Sequence, residues 1–171
     1  MHHGIWDHDI PRDPILLDLT IDGELVKAVA QPTKQAFLYV FNRETGQPIW
    51  PIEERPVPAG DVPGVWYSPT QPFPTKTPAY DRQGVSEDDL IDFTPQLRAR
   101  ALEIASWHKM GPLFTPPVVS NIDGPLGTLM APATGGGTNW PGGSYDPETN
   151  MLYVISNSSV VSLAVVEPYP G

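Results

Sequence analysis

The sequence predicts an all-β fold interrupted by one short helical insertion. Three observations carry that expectation. Short runs of β-branched and aromatic residues recur between turn signals, proline-rich stretches separate them, and a convincing helical periodicity occurs only within residues 86–108. A chain of 171 residues with 40% apolar content can bury a core of its own. Its 22 prolines and 15 glycines stop just short of a low-complexity composition, so long shaped loops between short strands are expected in place of disorder.

ILLDLTI (15–21), ELVKAVAQ (24–31) and AFLYVF (36–41) read as three strands. Asp22-Gly23, between the first two, is a strong short-range hairpin signal. NRETG (42–46) is a second turn, after which QPIW (47–50) resumes an extended path, giving an antiparallel meander of up to four strands. Residues 51–85 hold much of the proline. Each proline removes a backbone donor and biases its predecessor to extended conformations, so this segment is expected to be a loop of fixed shape and not a strand. Its aromatics (Trp66, Tyr67, Phe73, Tyr80) argue that the loop packs onto something, while Glu53, Glu54 and Arg55 read as a solvated turn.

Ser86 before EDDL resembles an N-cap with an acidic first turn, and Thr94-Pro95 resembles an N-cap followed by proline at the first helical position. Leu97, Ala101, Ile104 and His108 then share one helical face, the face expected to pack. Beyond residue 109 a glycine-rich stretch, ATGGGTNWPGGSYDPETN (133–150), runs into strand-like MLYVISNSSVVSLAVV (151–166). No GK[ST] follows the glycines, so a phosphate loop is not expected; they let the backbone approach a flat ligand or turn tightly. FNRETGQPIW (41–50) and SYDPETNMLYV (144–154) both read as strand, polar turn and strand, the pattern of a β-propeller blade.

Charge and targeting signals narrow the function classes. Twenty acidic against 10 basic residues, with no Lys/Arg cluster, argue against a nucleic-acid partner. No apolar run approaches the ~20 residues of a membrane span, and the N-terminus lacks a signal-peptide pattern. Zero cysteines exclude disulfides and Cys-ligated metals, and fit either redox compartment.

Chemistry-bearing residues are few. In HHGIWDHD (2–9), Asp7 is a candidate general base or hard-cation ligand, since a carboxylate beside Trp6 is expected to be partly desolvated. The residue by itself reads more simply as a surface aspartate in an N-terminal turn. His2, His3 and His8 are too tightly spaced for one tetrahedral metal centre. Lys34, in the turn QPTKQAF, could reach a carboxylate or a carbonyl oxygen, or be a solvated turn lysine. In GGGTNWPGG, Asn139 could hydrogen-bond a carbonyl-bearing ligand and Trp140 offers a flat stacking surface, although NWPGG could equally be a turn.

Five segments in order, HHGIWDHD, QPTKQAFLYVFNRETGQPIWPIEERPVP, SPTQPFPT, GPLFTPP and NWPGGSYDPETNMLYV, resemble the pyrroloquinoline quinone (PQQ)-dependent dehydrogenases, specifically the glucose/quinate-type quinoproteins. The resemblance spans essentially the whole chain. It implies an eight-bladed β-propeller with PQQ and Ca²⁺ at one end of its axis, of which residues 1–171 form two to three blades of a single PQQ-binding domain, with 51–110 as proline-rich loop plus helical insertion. Upstream blades are then missing, and Met1 is not the natural start. Residue by residue, the resemblance gives Asp7 the role of catalytic base and Ca²⁺ ligand. It gives Lys34 the quinone oxygens, Asn139 the same quinone edge and Trp140 the pocket border. The implied activity is oxidation of a small alcohol, sugar or cyclic polyol, with quinone or cytochrome c as electron acceptor and a periplasmic location. Gly4 stands where an acidic residue is common in the branch, Asn42 where Asp is usual, and residues 81–110 form an insertion. The competing readings are a non-catalytic propeller scaffold and an inactive truncated product whose blade edges would pair with another chain.

Overall fold

The computed structural model describes residues 1–168. β1 (Ile15–Ile21) and β2 (Glu24–Pro32) pair antiparallel with Ile21 opposite Glu24, and β2 pairs in turn with β3 (Leu38–Asn42). Asp22 (φ 52°) and Gly23 (φ 86°) both take left-handed conformations, the two-residue turn whose twist matches its flanking strands. After β3, the Asn42 side chain accepts from the amides of Glu44 and Thr45, which shapes the NRETG turn. The meander stops at three strands. Residues 47–50 form no strand: they contribute the single bridge Phe41–Pro48, with Asn42 N bonded to Gln47 O and Ile49 N to Val40 O, and Pro48 within the segment and Pro51 after it cannot donate to a longer ladder.

The proline-rich segment departs from expectation. It contains two strands, β4 (Ile52–Pro56) and β5 (Thr70–Pro74), paired antiparallel with Glu54 opposite Pro72. Glu53, Glu54 and Arg55 therefore lie in a strand and not in a turn. The register explains the tolerance of proline. Val57 N donates to Pro69 O and Thr75 N to Pro51 O, so the hydrogen-bonded positions are the odd-numbered ones. Pro56, Pro72 and Pro74 all fall on the alternate positions, where a missing N–H faces away from the partner strand.

A 3₁₀ turn, Glu87–Asp89, is closed by a capping box between Ser86 and Asp89. The single α-helix, α1 (Pro95–Ala105), starts with Pro95 at its first turn and the Thr94 hydroxyl accepting from Leu97 N, as the sequence indicates. Its packing face does not follow the expectation. Leu97 and Ile104 are exposed, Ala101 and His108 are half-buried, and within the helix only Ala105 is buried.

The remaining strands are short. β6 (His108–Lys109), β7 (Val118–Val119), β8 (Gly127–Met130) and β11 (Val161–Val165) form one sheet in the order β6-β8-β11-β7, while β9 (Gly143–Asp146) and β10 (Met151–Val154) form the expected hairpin. Within the four-stranded sheet the β8–β11 pair is antiparallel but both edges pair parallel. Two apolar clusters anchor the whole. Trp6, Phe37, Leu113, Phe114 and Met130 form one; Leu17, Ala28, Ala30 and Val40, with Trp50, Tyr145 and Leu152 against them, form the other. The β2–β3 turn, residues 33–37, is buried throughout.

Candidate functional site

The N-terminal segment is anchored residue by residue. Gln71 grips His2 on both sides, accepting from its amide at 2.8 Å and donating to its carbonyl at 2.6 Å. His3 stacks on Trp66 with ring centroids 4.3 Å apart. Trp6 is buried edge-on to Phe114 and donates its indole N–H to Thr115 O at 2.9 Å. His8 is buried too, and its Nε2 lies 3.2 Å from the carbonyls of Pro132 and Ala133. Two carbonyls can only accept, so Nε2 carries the proton, and Nδ1 is left buried without a protein partner among the described residues. Burial holds the His8 pKa below the ordinary histidine value.

Between these anchors, Asp7 takes a left-handed conformation (φ 59°) that turns its carboxylate outward. Its side chain is 72% exposed. The expected desolvation beside Trp6 is absent, because the indole points into the core while the carboxylate points to solvent.

Lys34 is not a solvated turn lysine. Its side chain is 6% exposed, and Nζ donates to the Asp7 carbonyl at 2.8 Å and to Asp9 Oδ1 at 2.5 Å. Asp7 Oδ2 lies 3.6 Å away, beyond hydrogen-bond range. An ammonium has three N–H donors, so one remains without an acceptor among the described residues. The hydrogen bond from Lys34 holds the Asp9 pKa below the usual carboxylate range. The site is thus a buried cation walled by two rim carboxylates, Asp7 and the 60%-exposed Asp9.

The glycine-rich loop closes over this turn. Gly137 N donates to Lys34 O at 2.8 Å, and a Cβ on Gly136 (φ 76°) would lie 2.3 Å from Lys34 Cβ. The close backbone approach expected of these glycines is made here to Lys34 and Ala36. Asn139 spends its side chain locally, donating to Gly135 O at 2.8 Å and accepting from Trp140 N. Trp140 is 76% exposed. The structure therefore brings Asp7 and Lys34 together, and of the glycine-rich loop it sets Gly136 and Gly137 against Lys34 while Asn139 and Trp140 make only local or solvent contacts.

Asp9 escaped the sequence reading, while His8 and Tyr80 entered it only as one of three closely spaced histidines and as a loop aromatic expected to pack. Tyr80 Oη lies beneath the Lys34 turn, receiving Thr33 N and reaching Thr33 O and Thr138 Oγ1 at 2.8–3.0 Å. Burial raises the Tyr80 pKa. Asp81 next to it is clamped by the hydroxyls of Ser156 and Ser158. For Asp9 the sequence signal was the second acid of WDHD, two residues after the first.

The fit of the implied groups follows from this donor set. A buried ammonium with a spare N–H suits an oxygen of an anionic quinone. Calcium is a different matter: Asp7 offers one carboxylate, Asp9 is engaged by Lys34, and no cluster of three or more His, Cys, Asp or Glu among the described residues could hold a metal. Six to eight oxygens are the usual calcium complement, so the residues present do not form a calcium site by themselves.

Comparison with known proteins shows the family of the chain. The family model for the β-propeller domain of PQQ-dependent glucose/ethanol/alcohol dehydrogenases matches residues 1–170. The chain is 37% identical over 155 residues to the glycerol dehydrogenase large subunit of Gluconobacter thailandicus, covering 88% of this chain and 20% of that protein. It is 34% identical over 157 residues to the quinate/shikimate dehydrogenase (quinone) of Acinetobacter baylyi, covering 90% of this chain and 18% of that protein. The quinoprotein glucose dehydrogenase of Escherichia coli is likewise 34% identical, over 155 residues, with 88% and 18% covered. The chain thus spans about one fifth of the length of these relatives. A europium-containing methanol dehydrogenase superposes with a TM-score of 0.51 at 17% identity, covering 95% of this chain and 21% of that one, which shows shared fold. With a family model matched from end to end and a β-rich architecture to go with it, this chain belongs to the PQQ-dependent glucose/ethanol/alcohol dehydrogenases and is part of their β-propeller domain.

Proposed function

We propose that this chain supplies one wall of the active site of a longer PQQ-dependent dehydrogenase that oxidises a hydroxyl of a small alcohol, sugar or cyclic polyol. The observation that carries the reading is the buried Lys34 ammonium, with one N–H to spare, 3.6 Å from the exposed carboxylate of Asp7. When bound, PQQ would supply a quinone able to accept two electrons and one proton from the alcohol carbon. Lys34 holds a quinone oxygen and orients it. Asp7, with its carboxylate turned outward and free of hydrogen bonds to Lys34, takes the substrate hydroxyl proton at a carboxylate oxygen. Trp140 presents a flat face at the pocket border, and Asn139 holds the loop that carries it. No step is assigned to calcium; Asp7 is one oxygen ligand toward such an ion, and the others lie outside this chain.

The named relatives act on glycerol, quinate or shikimate, and glucose, which supports a polyhydroxylated substrate. A quinone or cytochrome c acceptor and a periplasmic location follow from the family resemblance. Residues 1–171 are then one portion of a single propeller domain. In the full-length enzyme, Asp7→Asn is expected to abolish dye-linked alcohol oxidation while PQQ remains bound. Near-normal turnover would sink the role given to Asp7.

A further inference from the structure

In the turn that carries Lys34, each carbonyl from Thr33 to Ala36 accepts a hydrogen bond from outside the turn. Gly137 N donates to Lys34 O at 2.8 Å, Gln83 Nε2 to Gln35 O at 2.7 Å and Tyr80 N to Ala36 O at 3.1 Å. The Tyr80 hydroxyl reaches the other end of the same turn, accepting from Thr33 N at 3.0 Å and donating to Thr33 O at 2.8 Å. One residue thus grips both ends, with Lys34 between the grips. Ala36 takes a left-handed conformation (φ 62°), which L-residues other than glycine, asparagine and aspartate rarely adopt. Such a backbone persists where its surroundings over-determine it, as these hydrogen bonds do.

We infer that Tyr80 and Gln83 are positioning residues for the cofactor: they fix the backbone from which Lys34 reaches a quinone oxygen of PQQ. The inference rests on the role proposed for Lys34. A lysine with a free stem could absorb a shift of its backbone by changing rotamer. This one is pinned. A Cβ on Gly136 would sit 2.3 Å from both Lys34 Cβ and Lys34 Cγ, so the glycine-rich backbone lies directly on the stem. A displaced turn therefore displaces the lysine tip, and a hydrogen bond weakens steeply once its length and angle leave a narrow range. Tyr80 and Gln83 act through Lys34 and not on PQQ directly. They border the start of the 81–110 insertion, which is thereby strapped to the Lys34 turn while its helix lies on the surface.

The test titrates PQQ, at fixed Ca²⁺, into the PQQ-free full-length enzyme. It reads the dissociation constant from tryptophan fluorescence and the Tm of the PQQ-free protein alongside. The variants are Tyr80→Phe, Gln83→Leu, Lys34→Met and each of the first two combined with Lys34→Met. Val85→Ala is the stability control, a buried residue two beyond Gln83 whose amide bonds to Gly111 and not to the turn. Tyr80→Phe is expected to weaken PQQ binding about 10-fold in the wild-type background but less than about twofold on Lys34→Met, since positioning matters only while the lysine is present. Gln83→Leu should show the same pattern at about threefold, and it carries the test if Tyr80→Phe fails to fold. Val85→Ala should lower Tm and leave the dissociation constant within about twofold of wild type. Unchanged affinity in Tyr80→Phe overturns the inference. So do equal losses with and without Lys34, because Tyr80 would then not act through it. A loss in Val85→Ala as large as that in Tyr80→Phe overturns it too, since general loosening would account for both. Lys34→Met separates the two levels. If that variant binds PQQ as tightly as wild type, the role of Lys34 fails and the inference falls with it. If it binds weakly while Tyr80→Phe is unaffected, only the present inference fails.

Discussion

The N-terminal segment, residues 1–9, and the insertion carrying α1 are opposites. The first has no regular secondary structure, yet Trp6 and His8 are buried and every neighbour of Asp7 is tied to a distant part of the chain. The second is a well-capped helix that buries one alanine, beside which Phe93 stands 83% exposed. Regularity and anchoring are separate properties. A helix satisfies its own backbone and can sit on the surface, whereas an irregular loop must find partners elsewhere for each polar group it buries. The candidate chemistry lies in the anchored loop, where a fixed geometry has been built from long-range contacts.

Four changes would break or sharpen that contrast. The largest effect is expected from Trp6→Ala, which removes a core aromatic and strands the Thr115 carbonyl, and should cost about 3–5 kcal/mol in urea unfolding. Trp107→Ala, next to the helix and half exposed, should cost less than about 1 kcal/mol. Equal losses would erase the distinction between the two regions.

Gly136→Ala comes next. Its positive φ and the Lys34 side chain beneath it leave no room for a Cβ, so a loss of roughly 1–3 kcal/mol is expected. Gly135→Ala, with open space around it, should stay within about 0.5 kcal/mol of wild type and serves as the control. Thr94→Ala removes the helix cap and should cost about 1 kcal/mol, confined to the helix. Hydrogen exchange should then quicken in Pro95–Ala105 and stay unchanged at Trp6–Asp9; faster exchange in both would mean that the helix supports the loop.

The smallest effect concerns Asp81. Burial alone would raise its pKa, but hydrogen bonds from Ser156, Ser158 and the Arg82 amide outweigh that and lower it below the usual carboxylate value. The folded value lies below the unfolded one, so this stabilisation is complete above the unfolded pKa near 3.8 and is lost as pH falls through the folded value. Because the group is solvent-accessible, the contribution is small. Asp81→Asn should flatten the acid end of a stability-against-pH curve; an unchanged acid limb would show that the clamp contributes nothing.

Features that depend on neighbours in sequence were legible from the residues alone. Asp22-Gly23 marks its hairpin because only such residues take two successive left-handed conformations, and Thr94-Pro95 marks its helix start because the cap is made by Leu97, three residues on. The two strands at 52–56 and 70–74 were not legible. Whether proline is tolerated depends on which positions face the partner strand, and that register is fixed by the pairing itself. The exposed stripe of α1 was hidden for the same reason, since periodicity gives a face but not what covers it.

By itself, then, the sequence determined the β-rich class, the principal turns and caps, and, through its ordered motifs, the kinship that singles out Asp7 and Lys34. Only the tertiary structure decided that Lys34 is buried, that its ammonium is held by the Asp9 carboxylate and the Asp7 main-chain carbonyl, and that the Asp7 carboxylate faces outward. Turns and caps are set by interactions spanning a few residues. The placement of one ammonium between two carboxylates depends on contacts 25 and 27 residues apart, and on a glycine-rich loop a hundred residues further along that presses the lysine into place.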